Sequence, residues 1–263
     1  MGRIVFEEVY AAKVTSVWLH RLGEALAAVF PTGCVGCGAA LPWVAPLALC
    51  AACRPRVRAP GSPACRGCGR PMLGAAPTEP GPLCGACRNR PPPWESLVAA
   101  YLYLPPLTGV VRALKFGRGE HLGEALSPAL AARCAPWASR IDVVTPVPLP
   151  WTRLLARGYN QAEAVARPLS RALDLPVRPL LRRRPRPRQA LLSRAERRRN
   201  LRGAFTSRRR LAAGTRVLLV DDVMTTGATL VAAARALRRA GADTVHAAVV
   251  ARTPDASWGE PER

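Results

Sequence analysis

Eight of the nine cysteines fall between Cys34 and Cys87 in four C-x-x-C pairs, and no other feature constrains the chain as much. Cys34-Val35-Gly36-Cys37-Gly38 matches Cys65-Arg66-Gly67-Cys68-Gly69, and Cys50-Ala51-Ala52-Cys53-Arg54 matches Cys84-Gly85-Ala86-Cys87-Arg88, so the segment is an internal duplication. Within each copy the two knuckles are separated by 12 or 15 residues. A glycine after the leading knuckle lets the turn aim backbone amides at the sulfurs. Four thiolates then close a tetrahedral zinc site with no open position, which makes it structural and not catalytic. The expected ligands of two zinc ions are Cys34, Cys37, Cys50, Cys53, Cys65, Cys68, Cys84 and Cys87. Pairing within each copy is preferred; the alternative is a cross-braced arrangement with Cys34, Cys37, Cys65 and Cys68 on one ion. Redox C-x-x-C motifs do not come in duplicated quartets, and a disulfide framework would need an oxidising compartment. Cys134, on an apolar helical face, is expected in the core.

Around these cysteines, residues 31–93 are rich in Pro and Gly and show little periodicity, so hydrophobic burial alone cannot hold them and a metal must. Upstream, residues 1–30 comprise an arm and an amphipathic helix over 14–30, marked by Val14, Val17, Trp18, Leu22, Leu26 and Val29. After Pro91-Pro92-Pro93, strand and helix patterns alternate over residues 94–252. Strands are expected at Leu97 to Leu104, Ile141 to Val147, Arg216 to Asp221 and Thr244 to Ala251. Helices are expected at Leu107 to Phe116, His121 to Cys134, Asn160 to Leu173 and Thr226 to Ala240. Such alternation implies an α/β fold, an open parallel sheet flanked by helices, with residues 253–263 as a frayed tail.

Charge and composition narrow the function classes. The 263 residues carry 39 Lys plus Arg against 17 Asp plus Glu, a formal +22, and only three His, which argues against a haem or multi-His metalloenzyme. Two zinc ions on eight thiolates would lower the charge to roughly +18. That excess points to anionic partners. Between Arg178 and Arg210 there are 14 Arg and one Glu, Glu196, so +13 of the formal charge sits in 33 residues. This stretch reads as a lid over a polyanionic ligand, an electrostatic track for single-stranded nucleic acid, or a solvated loop. It is not expected to fold on itself. No apolar run reaches the roughly 20 residues of a spanning helix, so a cytoplasmic protein is expected, at most peripheral to the inner face of the membrane.

The most informative chemistry lies in Val217-Leu218-Leu219-Val220-Asp221-Asp222-Val223-Met224-Thr225-Thr226-Gly227-Ala228-Thr229. An apolar strand ends in two carboxylates, and a hydroxyl-rich turn with one glycine opens a helix. Free amides and the helix dipole suit an anion, and adjacent carboxylates suit vicinal hydroxyls, so a phosphorylated sugar fits. No Gly-Lys-Ser or Gly-Lys-Thr follows, which argues against a Walker-type nucleotide triphosphatase.

This segment resembles the phosphoribosyl-diphosphate signature of type I phosphoribosyltransferases. Four further stretches narrow the resemblance to the ComF family of competence-associated proteins. They are Leu114-Lys115-Phe116-Gly117-Arg118, Pro146-Val147-Pro148-Leu149 with Arg153, Arg157-Gly158-Tyr159-Asn160-Gln161, and Gln189 with Leu192 to Phe205. That resemblance implies a double zinc ribbon joined to a phosphoribosyltransferase-like domain that binds phosphoribosyl diphosphate with magnesium. It implies that Asp221 and Asp222 meet the ribose hydroxyls and serve as the catalytic carboxylates, and that Thr225, Thr226, Gly227, Ala228 and Thr229 hold the terminal phosphate. Arg153, Arg157 and Lys115 would face the diphosphate, and Arg197 and Asn200 fall where such enzymes carry a mobile loop. The implied role is in DNA uptake and transformation, with single-stranded DNA and DNA-uptake proteins as partners. The alternative is a non-catalytic module that senses the ligand and engages DNA through ribbons and arginines.

Overall fold

The computed structural model describes residues 32–41, 45–72, 74–75, 81–116, 119–184, 203–254 and 258. The expected helix over 14–30, Gly117, Arg118, Gln189, Arg197, Asn200 and most of the tail lie outside them. In chain order, the cysteine-rich segment contains a two-residue ladder, β1 (Thr32–Gly33) with β2 (Ala40–Leu41), and a short helix, α1 (Gly85–Asn89). There follow β3 (Ser96–Leu102), α2 (Leu107–Lys115), α3 (Leu122–Cys134), β4 (Val143–Pro146), α4 (Trp151–Arg157) and α5 (Gln161–Ala172). The chain continues through β5 (Leu181–Arg183), β6 (Phe205–Ser207), β7 (Arg216–Met224), α6 (Ala228–Arg239) and β8 (Thr244–Arg252).

Four strands form one parallel sheet in the order β3-β8-β7-β4. Their near-continuous apolar runs follow from burial on both faces. Along β7, Leu218 and Val220 face a core layer with α2, α3 and α5, while Val217 and Leu219 face a layer with α6 and the β5-β6 hairpin. Packing on the first face is tight enough that a Cβ on Gly123 of α3 would collide with the Ala164 carbonyl oxygen in α5. Cys134 is fully buried in that layer, as its apolar position implies, and burial pushes its thiol up to about 12.

Two findings depart from expectation. The ends of the arginine-rich stretch do fold on each other: Leu181–Arg183 pairs antiparallel with Phe205–Ser207, because Leu180, Leu181 and Phe205 bury beneath the charges. The helix α4 has no counterpart in the periodicity, since Trp151, Leu154 and Leu155 remain exposed and its pattern encodes no buried face.

The cysteine-rich segment is built into the sheet and does not stand apart from it. Leu97 of β3 donates its amide to the Arg66 carbonyl and Leu102 donates to that of Arg58, at 2.7 Å each. The outer edge of β3 is thereby covered, which removes an exposed pairing edge. Leu41, Leu47 and Leu49 join the core layer of α2, while Cys68 packs against the layer of α6 beside Trp94 and Leu97.

Candidate functional site

The eight cysteines gather as Cys34, Cys37, Cys50, Cys53 and as Cys65, Cys68, Cys84, Cys87, with all sulfurs of each group within 4.8 Å of one another. Grouping therefore runs within each copy of the duplication and is not cross-braced. Cys37 and Cys50 sulfurs lie 3.7 Å apart, and those of Cys68 and Cys84 3.8 Å. A tetrahedron with bonds of about 2.3 Å has edges of about 3.8 Å, so the donor set fits zinc. Backbone amides support the thiolate form: Gly36 and Cys50 donate to the Cys34 sulfur at 3.4 Å, and Cys84 donates to the Cys65 sulfur at 3.2 Å. Burial opposes ionisation of Cys34, yet the amides of Cys50, Gly36 and Cys37 bring it down to about 6. Cys65 is held at about 4, first by its hydrogen bond with the Cys68 thiol.

At the carboxyl end of β7, the chain turns through exposed Thr225 and Thr226 into α6. Gly227 caps that helix at φ 73, a conformation in which any other side chain would be strained, and a Cβ there would also sit 2.7 Å from the Met224 methyl. The Thr226 hydroxyl accepts from the Ala228 amide at 3.4 Å. The next amides, of Thr229 and Leu230, have no acceptor within the helix and point toward the turn. An anion is what such a helix start binds best.

Strand alternation sends the two carboxylates toward different layers. Asp222 ion-pairs with the Lys115 ammonium at 3.0 Å, at the end of α2, and its other oxygen accepts from the Val223 amide. Lys115 thus supplies the counter-charge of Asp222. Asp221 is held well above the usual carboxylate range by burial and then by the negative charge of Asp222, with Lys115 as a weaker opposing influence. On the α6 side, Arg183 of β5 feels both Asp221 and Arg153; burial and the like charge of Arg153 lower its proton affinity while Asp221 raises it. The sequence pattern does not single out Arg183. Its only signal is the apolar pair Leu180-Leu181 before it, which marks a strand end inside a run of arginines.

Arg153 stands exposed on α4. Arg157 is engaged elsewhere: its guanidinium stacks 5.0 Å from the Phe116 ring and donates to the Gln161 side chain at 2.9 Å. Around it, the Tyr159 hydroxyl donates to the Leu114 carbonyl, and the Asn160 amide donates to the Val147 carbonyl at 3.0 Å while its oxygen caps α5 at the Ala162 amide. The two motifs around Lys115 and Arg157 therefore brace each other beside the end of β4.

A cleft of about 500 Å³ opens beside the turn, between α6 and the second cysteine cluster. Trp94 and Met224 contribute apolar walls, and Arg90, Arg235 and Arg239 its charge. Arg239 also lines a shallower groove with Arg209 and Arg210. Among the described residues, no carboxylate forms an ion pair with any of these five arginines.

The double zinc ribbon domain model matches residues 25–88, and the phosphoribosyl transferase domain model matches residues 155–262. DNA utilization protein YhgH of Shigella flexneri is 36% identical over 190 residues, which span 70% of this chain and 83% of that protein. Competence protein F of Haemophilus influenzae is 32% identical over 229 residues, 83% of this chain and 96% of the relative. Among solved structures, purine phosphoribosyltransferase from Pyrococcus horikoshii aligns with 54% of this chain and 77% of its own at 23% identity and a TM-score of 0.34. No helix among the described residues is long and apolar enough to cross a membrane. With both domain models falling on the cysteine clusters and the phosphate-type turn, and relatives matched over most of their length, the chain belongs to the ComF family.

Proposed function

We propose that this protein binds 5-phosphoribosyl 1-diphosphate with magnesium at the end of β7, and that it does so in the uptake and use of DNA. The observation that carries this is the junction itself: two buried carboxylates lead directly into a turn capped by Gly227, where the first amides of α6 have no acceptor within the helix. The turn from Thr225 to Thr229 would take the 5-phosphate, Asp221 and Asp222 the ribose hydroxyls, and Arg153 with Arg183 the diphosphate. Lys115 would exchange its ion pair with Asp222 for the incoming anion, freeing that carboxylate for hydroxyls. Magnesium on the diphosphate would neutralise the charge that grows as it leaves, and the hard oxygens of Asp221 and Asp222 suit such an ion. In transfer, the bond from the anomeric carbon to diphosphate breaks and a nitrogen nucleophile takes its place; the Asp222 carboxylate, released from Lys115, then stabilises the positive sugar ring. The names of the relatives, Competence protein F and DNA utilization protein, support the setting in DNA handling. The test is calorimetry with donor and magnesium. Replacing Asp221 and Asp222 together by Ala should weaken binding by at least roughly a hundredfold, since each charge-assisted hydrogen bond contributes about 1.5–3 kcal/mol. Unchanged affinity would refute the assignment.

A second reading, that the protein holds single-stranded DNA, is favoured by the arginine-lined cleft and groove along α6. Replacing Arg90, Arg235 and Arg239 with Gln should then weaken binding on every sequence and flatten the slope of log affinity against log salt by about 0.7 per lost phosphate contact. An unaltered slope would remove this surface from DNA binding.

A further inference from the structure

We infer that Arg252 is a positioning residue that ties the second zinc centre to the phosphate turn, so that zinc held by Cys65, Cys68, Cys84 and Cys87 sets the affinity of the turn for a sugar phosphate. The ligand in this statement rests on the function proposed above; the mechanical link does not. Arg252 is the last residue of β8, buried at 5% exposure. Its Nε donates to the carbonyl of the zinc ligand Cys68 at 3.0 Å. Its Nη1 donates to the carbonyl of Thr225, the first residue of the turn, at 2.7 Å and to that of Met224 at 3.3 Å. The guanidinium carbon lies over the Trp258 ring, 5.0 Å from its centre. One rigid planar fork thus spans a metal knuckle and the loop that starts α6, which a flexible lysine cannot do.

The knuckle it grips is itself close-packed. A Cβ on Gly69 would come within 3.2 Å of Leu97 and 3.9 Å of the Arg252 side chain. A segment this poor in apolar residues keeps its shape only while the metal is bound. Loss of zinc from the second cluster withdraws the Cys68 carbonyl that Nε donates to. The guanidinium then has reason to move, and the carbonyls of Met224 and Thr225 move with it.

The experiment compares wild type, Cys87→Ser, Arg252→Met and the double variant, using phosphoribosyl diphosphate with magnesium as probe and hydrogen exchange at amides 225–230 as a readout independent of that ligand. Zinc content should be two ions in wild type and in Arg252→Met, and one in Cys87→Ser. Affinity should fall about tenfold in each single variant and no further in the double, because both act through one path. Exchange in the turn should accelerate in all three variants, and Arg252→Lys should recover only part of the loss. Additive losses in the double variant, or full affinity and unchanged exchange in Arg252→Met with both ions retained, would overturn the inference. A wild type that does not bind the probe would overturn the proposed ligand instead, and exchange in the turn would still decide the link.

Discussion

The two copies of the cysteine duplication share their spacing and differ in what they support. Between them, the chain from Arg58 to Arg66 runs along the outer edge of β3, and the copies come to rest on opposite faces of the sheet. The first packs on α2, where a Cβ on Gly109 would collide with the Val35 carbonyl oxygen. That helix ends in Lys115, the counter-charge of Asp222. The second packs against Leu97 of β3 at Gly69, faces α6 across the cleft, receives the Trp94 indole at the Gly67 carbonyl at 3.0 Å, and reaches the turn at Thr225 through Arg252. The two copies of the duplication thus brace the end of β7 from its two sides.

The largest effect that sharpens this contrast is removal of both metals. Because the copies contribute to both core layers and cover β3, chelation should lower the melting temperature by roughly 10 °C or more, and thermal melts with and without chelator will measure it. A melt unmoved by complete zinc loss would mean the modules are passengers.

Next come the glycines at the two interfaces. Gly109→Ala drives a methyl into the Val35 carbonyl, an overpacking of about 1–3 kcal/mol, and should lower the melting temperature by several degrees with both zinc ions kept. Gly67→Ala would place its Cβ 2.8 Å from the Cys87 sulfur and should instead expel the second ion, which elemental analysis reports.

A smaller effect, of opposite sign, belongs to Asp221. Its folded-state proton affinity is raised by burial, so the folded chain holds a proton that the unfolded chain has released above about pH 3.9. Stability therefore falls as pH rises from there through the raised value. Asp221→Asn removes that penalty: it should melt about 2–4 °C higher than wild type at neutral pH, with little difference at pH 3, while losing donor affinity. A melting temperature below wild type at neutral pH would contradict this sign. The smallest change is Trp94→Phe, which leaves the Gly67 carbonyl without its indole donor and should reduce stability by about 1 kcal/mol in denaturant titrations.

Residues whose role is written in local spacing are legible in the amino-acid sequence. The cysteine knuckles, the apolar strand into Asp221-Asp222, the glycine that caps α6 and Asn160 at the start of α5 all declare themselves over a few positions. Residues whose role depends on distant partners do not. Arg252 ends an apolar strand and touches a cysteine 184 positions away, so no window of sequence contains the pair. Arg183 is one arginine among 14, distinguished only by a hairpin that forms through Phe205 on the far side of the stretch. The charge of Arg157 is visible in the sequence and suggests the diphosphate, whereas its stacking on Phe116 joins residues 41 positions apart and is visible only in the fold.

The most direct test of the central claim is a hydrogen-exchange footprint of phosphoribosyl diphosphate with magnesium on the zinc-loaded protein. Bound donor should slow exchange at amides 225–230 and at the end of α2 around Lys115, leave the first cysteine copy away from α2 unchanged, and give no footprint in the Asp221→Ala, Asp222→Ala variant. Saturating donor that leaves amides 225–230 unprotected, or protection that survives in the double variant, would contradict the claim.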